Sequence, residues 1–248
     1  MPHCGRHTRT RANCRVKVSA NCWRTPGQDT CPCPIRHCRQ GRDGALIMYG
    51  TRWFEASETP QKALIFLHGR GQASRSAQAM AQRLFVPDSI LALPEAPAQS
   101  WYPASFLSAV AMNEAELEAS LRYLEEVIEQ VVDRGISPDA ITLAGFSQGA
   151  ALAAEFAGRK LCAFGALIAF TGGRIGPWNV RWSESTRLDN MRMLFSASAR
   201  DPFVPFKRIE ETIEHFMQRG ATVDFLSFDD THHSVREEEY RAALTIIA

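Results

Sequence analysis

One short stretch constrains the fold more than any other part of the chain. Ile141-Thr142-Leu143-Ala144 is an apolar run with a β-branched start. It passes into Gly145-Phe146-Ser147-Gln148-Gly149, and small or apolar residues follow at helical spacing (Ala150, Ala151, Leu152, Ala154, Phe156). A strand, a sharp turn and a helix in that order strain the backbone of Ser147, so the positions two residues to either side must lack bulk. Gly145 and Gly149 meet that demand. The Ser147 hydroxyl is then expected to stand clear of the strand tip, with the N–H of Gln148 facing the same space at a helix N-terminus. Gly-x-Ser-x-Gly alone is a weak pattern; a strand before it and a helix after it make a nucleophile elbow.

The flanking chain alternates in the same way. Ala63 to Leu67 is apolar throughout and too short for a helix, as a strand covered on both faces should be. It ends in His68-Gly69-Arg70-Gly71, before a predicted helix over about Ser74 to Phe85. Ser89 to Leu93 reads as the next strand, stopped by Pro94. Leu46 to Tyr49 reads as a first edge strand. Leu117, Leu121, Leu124, Ile128 and Val131 recur on one face of a helix, with Asn113 as its N-cap and Gly135 and Pro138 beyond its end. Its many glutamates read as a solvated face. Phe164 to Phe170, Met193 to Ala197 and Val223 to Phe228 complete the strands. Ile209, Ile213, Phe216 and Met217 share one face of a helix, and a further helix closes the chain. Strands alternating with helices predict an α/β fold: one mostly parallel sheet with helices on both faces, over 45–248.

Residues 1–44 differ. They show no period, carry a net charge of +7 against −6 for the remainder, and hold six of the seven cysteines. This segment is expected to be disordered or not natively part of the folded unit. The abrupt change of composition favours an upstream extension, with translation beginning at Met48. A zinc site is disfavoured because Cys31-x-Cys33 and Cys33-x4-Cys38 match no paired Cys-x2-Cys knuckle. A nucleic-acid-binding arm lacks aromatic platforms beyond Trp23, and a transit peptide lacks its amphipathic helix. Cys162 reads as a buried core thiol. No run approaches the length of a membrane span. The expectation is a cytoplasmic protein with no metal and no cofactor, acting on a small molecule without nucleic acid, and a homodimer is left open.

A serine hydroxyl needs a base to take its proton, an acid to orient that base, and donors for the oxyanion. His68 lies in the His-Gly motif and His215 within a helix. His232 and His233 follow the last strand, from which a reach back to Ser147 is easiest; His233 is preferred, with His232 as the alternative. Asp201 lies just past a strand tip in a Pro-bounded turn. Asp224 is inside a strand, Asp189 is at the wrong end of one, and Asp229 and Asp230 read as ordinary loop carboxylates. The oxyanion donors are expected to be the backbone N–H groups of Arg70 and Gln148. The loop with Trp101, Tyr102, Pro103 and Phe106 has no periodic role, so Trp101, Tyr102 and Phe106 are expected to line a pocket, whereas Trp178 and Trp182 read as core caps.

His68-Gly69-Arg70-Gly71, Gly145-Phe146-Ser147-Gln148-Gly149, Asp201-Pro202-Phe203-Val204-Pro205 and His233-Ser234 together resemble the phospholipase/carboxylesterase family of α/β-hydrolases, which includes acyl-protein thioesterases. The resemblance covers about Ala63 to Ala248. It implies a triad of Ser147, Asp201 and His233, and an oxyanion hole shaped by Arg70 and Gln148. Acyl-protein thioesterases usually carry His-Gly-Leu-Gly; here Arg70 replaces the leucine. With Trp101-Tyr102-Pro103 and Ser105-Phe106, the chain is more similar to the bacterial small-molecule esterase branch. The Arg70 side chain is expected either to pair with a substrate carboxylate or phosphate or to point into solvent. The implied activity is a serine carboxylesterase acting on small acyl or aryl esters. The alternatives are an acyl-protein thioesterase or lysophospholipase, and, in another class, a non-catalytic ligand receptor on the same scaffold.

Overall fold

The computed structural model describes residues 36–40, 46–72, 74–159, 162–189 and 191–247. Its strands are β1 (Arg36–Gln40), β2 (Leu46–Glu55), β3 (Lys62–Leu67), β4 (Ser89–Glu95), β5 (Ile141–Phe146), β6 (Ala166–Phe170), β7 (Arg192–Ser198) and β8 (Thr222–Phe228). The helices are α1 (Ser74–Gln82), α2 (Glu114–Val132), α3 (Gln148–Arg159), α4 (Phe206–Gln218) and α5 (Glu237–Ile247). The strands form one sheet in the order β1-β2-β4-β3-β5-β6-β7-β8. β1 and β4 run antiparallel to β2, and every pair from β4 to β8 is parallel. The predicted α/β architecture is the observed one.

Alternation within the strands assigns the two faces. Ala63, Ile65 and Leu67 of β3, with Ile141 and Leu143 of β5, point into a core shared with Leu117 and Leu124 of α2, Phe156 of α3 and Phe216 of α4. Leu64 and Phe66, with Ala144 and Phe146, point the other way, onto Ala77 and Ala81 of α1 and Tyr240 and Ala243 of α5. Each fully buried Leu or Phe of this kind contributes roughly 1.5–3 kcal/mol relative to exposure.

Several expectations change. Arg36–Gln40 lies within 1–44, where no strand was expected, yet it pairs along β2 from Arg36 opposite Gly50 to Gln40 opposite Leu46. Edge pairing is made by backbone groups, so it leaves no apolar alternation to read. The zinc, nucleic-acid-arm and start-site readings concern residues almost all outside the described ones. The first predicted strand extends to Glu55. β4 runs through Pro94 rather than stopping before it: the β3 partner ends at Ala92, and Pro94 pairs only with Thr51 of β2, so no N–H is missed on the β3 side. On α4, Met217 is exposed whereas Ile209 and Phe216 are buried. Cys162 is free and half-buried; burial pushes its thiol up to about 12.

Candidate active site

The turn between β5 and α3 consists of Ser147 alone, with φ +54°. A non-glycine residue there costs about 1–3 kcal/mol unless its surroundings hold it. They do: Ser147 N–H donates to Phe170 O at the tip of β6 (3.0 Å), and Ser147 O accepts from Ala151 N–H (2.9 Å). The two glycines answer different contacts. A Cβ on Gly145 would meet Gly149 O at 2.6 Å, within the turn itself; one on Gly149 would meet His68 O at 2.6 Å, on the neighbouring strand's loop.

Three parallel strands deliver the candidate residues to one edge, just past their C-terminal ends, where open α/β sheets bind ligands. Ser147 follows β5, Asp201 follows β7 and His233 follows β8. His233 Nε2 is 2.9 Å from Ser147 Oγ, and His233 Nδ1 is 2.7 Å from Asp201 Oδ2. Asp201 Oδ1 accepts the N–H groups of Phe203 (2.7 Å) and Val204 (2.9 Å), which orients the carboxylate. The Asp201 side chain is fully buried behind the imidazole. Phe146 and Phe203 flank that imidazole, each with its ring centroid 5.0 Å away. His232 points elsewhere: its ring is largely exposed and lies 3.5 Å from Asp230.

The loops are tied to one another as well as to the sheet. Ala199 N–H donates to Phe228 O (2.8 Å) and Arg200 N–H to Asp230 O (3.0 Å), while Ser198 Oγ donates to His232 O. These bonds continue the β7–β8 pairing outward and set the spacing between Asp201 and His233.

Opposite them lies the loop after β3. His68 is buried; Ala96 N–H donates to its Nε2 (3.0 Å), so the ring proton sits on Nδ1 and donates to Gly69 O (2.8 Å). Burial lowers its pKa, consistent with this neutral state. Trp101 Nε1 donates to His68 O (2.8 Å). The side chain of Gln148 accepts from Trp101 N–H (3.1 Å) and donates to Tyr102 O (2.8 Å). As the first residue of α3, Gln148 has a backbone N–H with no partner inside the helix, and it lines the same cleft as Arg70 and Ser147.

This cleft has a volume of about 490 Å³, and Ser147, His233, Tyr102, Phe106 and Phe203 are among its lining. A larger groove of about 590 Å³ opens at the other end of the sheet, between Lys62, Asp139 and Arg192. Its described lining includes no serine, cysteine or histidine, whereas the smaller cleft holds both Ser147 and His233.

A family model described as phospholipase/carboxylesterase matches residues 52–248. The chain belongs to that family. Among solved structures it is similar to the phospholipase/carboxylesterase from Dyadobacter fermentans, at 28% identity and a TM-score of 0.74, covering 79% of this chain and 95% of that one. The carboxylesterase from Bacillus cereus shares the fold at 16% identity and a TM-score of 0.65, over 79% of this chain and 92% of the other. That from Mesorhizobium loti shares it at 16% identity and a TM-score of 0.64, over 79% and 93%. Comparison with curated protein sequences gives no match.

Within this family member, three expectations about side chains change. Trp101 does not line the cleft; its ring is buried against His68, with centroids 4.8 Å apart, and braces the loop from below. Asn113 stands at the start of α2 without a side-chain cap. It instead accepts from Ala104 N–H (2.8 Å) and donates to Ser105 O (2.9 Å), holding the cleft wall. Arg70 is exposed but not free to swing: its Nη1 and Nη2 donate to Pro103 O and Ala104 O, both at 2.7 Å.

A buried polar network behind the cleft had no sequence signal. Arg174 is fully buried and pairs with Glu155 (3.2 Å) and Glu184 (2.8 Å). Its backbone N–H donates to Thr212 Oγ1, and Ile175 N–H donates to Glu155. The network anchors the loop that begins at Gly172, part of the cleft lining. Trp182 covers it, its ring 4.9 Å from the Arg174 guanidinium, while Trp178 is half-exposed.

Proposed function

We propose that the chain is a serine carboxylesterase hydrolysing small acyl or aryl esters through an acyl-enzyme. One observation carries this reading: the unbroken hydrogen-bonded series from Ser147 Oγ through His233 to the buried Asp201 carboxylate. In the first half-reaction Ser147 Oγ attacks the ester carbonyl carbon while His233 Nε2 takes the hydroxyl proton. Asp201 holds the imidazole by its Nδ1–H and stabilises the imidazolium that forms. The developing oxyanion is met by the backbone N–H groups of Arg70 and Gln148; each such donor is worth about 3 kcal/mol in the transition state. The tetrahedral intermediate collapses, and the alcohol leaves with the proton held by His233. Water then gives a proton to His233 and its oxygen to the acyl carbon, and collapse releases the acid and restores Ser147.

The test is turnover of p-nitrophenyl acetate by wild type and Ser147→Ala, with fluorophosphonate labelling of the same two proteins. Wild type should turn over and label; the variant should do neither. Turnover retained in Ser147→Ala would discard the mechanism, and a wild-type protein that fails to label would favour a receptor. An acyl chain-length series with ester and thioester leaving groups separates this reading from a thioesterase or lysophospholipase.

A further inference from the structure

Among the described residues lining the cleft, Arg70 is the one that carries a permanent charge. The rest of the wall is mostly apolar or neutral, formed in part by Tyr102, Pro103, Phe106, Phe203 and Val204. Asp201 does not offset that charge at the surface, because its carboxylate is fully buried behind His233 and accepts two backbone N–H groups. The Arg70 guanidinium is held by the carbonyl oxygens of Pro103 and Ala104 and lies over the face of Tyr102, with the ring centroid 5.8 Å away. Carbonyl dipoles and a π-face fix a cation in place without neutralising it. The guanidinium is thus oriented in advance, which lowers the entropy lost when an anion binds it, and the remaining donors of its fork are available.

On this basis, and resting on the esterase reading above, we propose that the substrate is an ester bearing a carboxylate, which Arg70 receives while Ser147 attacks the ester carbonyl. The chemical class is the half-ester of a dicarboxylic acid. Arg70 then has two separable roles: its backbone N–H serves the oxyanion, and its side chain selects the substrate.

The experiment compares kcat/KM for monoethyl adipate with that for the uncharged ethyl heptanoate, in wild type, Arg70→Gln and Arg70→Lys. Wild type should favour the half-ester. Arg70→Gln, which removes the charge, should lower the ratio of the two values at least about tenfold, as loss of a charge-assisted hydrogen bond requires. Arg70→Lys keeps the charge but not the bidentate hold on the loop, and should keep most of the ratio. Because Arg70 is exposed, the wild-type ratio should also fall as salt is added. A ratio unchanged in Arg70→Gln and flat with salt overturns the proposal and leaves Arg70 as a loop clamp. If Arg70→Gln is inactive on both esters, the salt series and the lysine variant decide. A wild-type protein inactive on every ester instead removes the esterase reading itself, a result distinct from activity without anion preference.

Discussion

Arg236 Nη2 lies 2.6 and 2.8 Å from the two carboxylate oxygens of Asp230, and Asp230 Oδ1 also accepts the N–H of His232 at 3.0 Å. The residue before His233 is therefore held by a carboxylate that is itself held by an arginine. Arg236 further reaches Ser198 Oγ (2.8 Å) at the end of β7, so one guanidinium joins the loops bearing Asp201 and His233. Arg236→Met should lower kcat for p-nitrophenyl acetate between about tenfold and a hundredfold with little change in KM, since small misplacement of a catalytic group costs that much. Steady-state kinetics check it. The His232 N–H, aided by Ser198 and Arg236, holds the Asp230 carboxyl down at about 2 against an ordinary 3.8. Its folded pKa is depressed, so this clamp is intact above about pH 3.8 and is lost as pH falls towards 2.

Gly149→Ala sets two effects against each other. Alanine in a helix is favoured over glycine by about 1 kcal/mol. The added methyl, however, would stand 2.6 Å from the carbonyl oxygen of His68, a backbone atom that cannot move without shifting the loop after β3. Overpacking of this kind costs about 1–3 kcal/mol, so the clash wins. The variant should unfold at lower denaturant and lose most esterase activity, as equilibrium unfolding and initial rates will show.

Asn113→Ala should destabilise the fold by about 0.5–1.5 kcal/mol, because the buried Asn113 amide gives up two part-buried hydrogen bonds, to Ala104 N–H and Ser105 O. No capping bond is lost with it. The loosened wall should raise KM more than it lowers kcat. Denaturant titration and Michaelis parameters read the two effects separately.

His215 supplies a pH prediction. Burial, reinforced by the charges of Arg174 and Arg219, lowers its pKa to about 4, and its Nε2 lies 3.1 Å from Arg174 Nη1. The unfolded chain takes up this proton near pH 6.5, whereas the folded chain resists until about 4. Stability is therefore full above about pH 6.5 and declines as pH falls towards 4. Glu184 acts lower. Burial opposes its ionisation, but Arg174 holds it at about 2, so its contribution is full above about pH 4.5 and is lost as pH falls towards 2. The melting temperature of His215→Asn should fall less than that of wild type between about pH 7 and pH 4.5; calorimetry at the two pH values checks this.

Much of the architecture was legible because it is local. Leu117, Leu121, Leu124, Ile128 and Val131 mark α2 by spacing alone, and all five are buried. Ala63 to Leu67 reads as a doubly covered strand, and it is one; the apolar run from Ile141 reads as a strand, and it too is buried throughout. What escaped was structure whose partners lie far along the chain. Asn113 had the composition of a cap and became a brace for Ala104 and Ser105. Trp101 had the look of a pocket wall and became a prop under His68. Arg174, Glu155 and Glu184 had no pattern linking them, because burying charge requires only that partners meet in space.

From its residues alone the chain determined the alternation of strand and helix, the two faces of the sheet and the strained serine turn, since each depends on neighbours within a few positions and on the excluded volume of a side chain. Spacing left His232 and His233 both open as the group that meets Ser147. That choice was made by the hydrogen bonds joining Ser198 to His232, Arg200 to Asp230 and Arg236 to both loops. Such bonds form only after parallel strands distant in sequence have paired, and so the final position of the imidazole belongs to the tertiary structure.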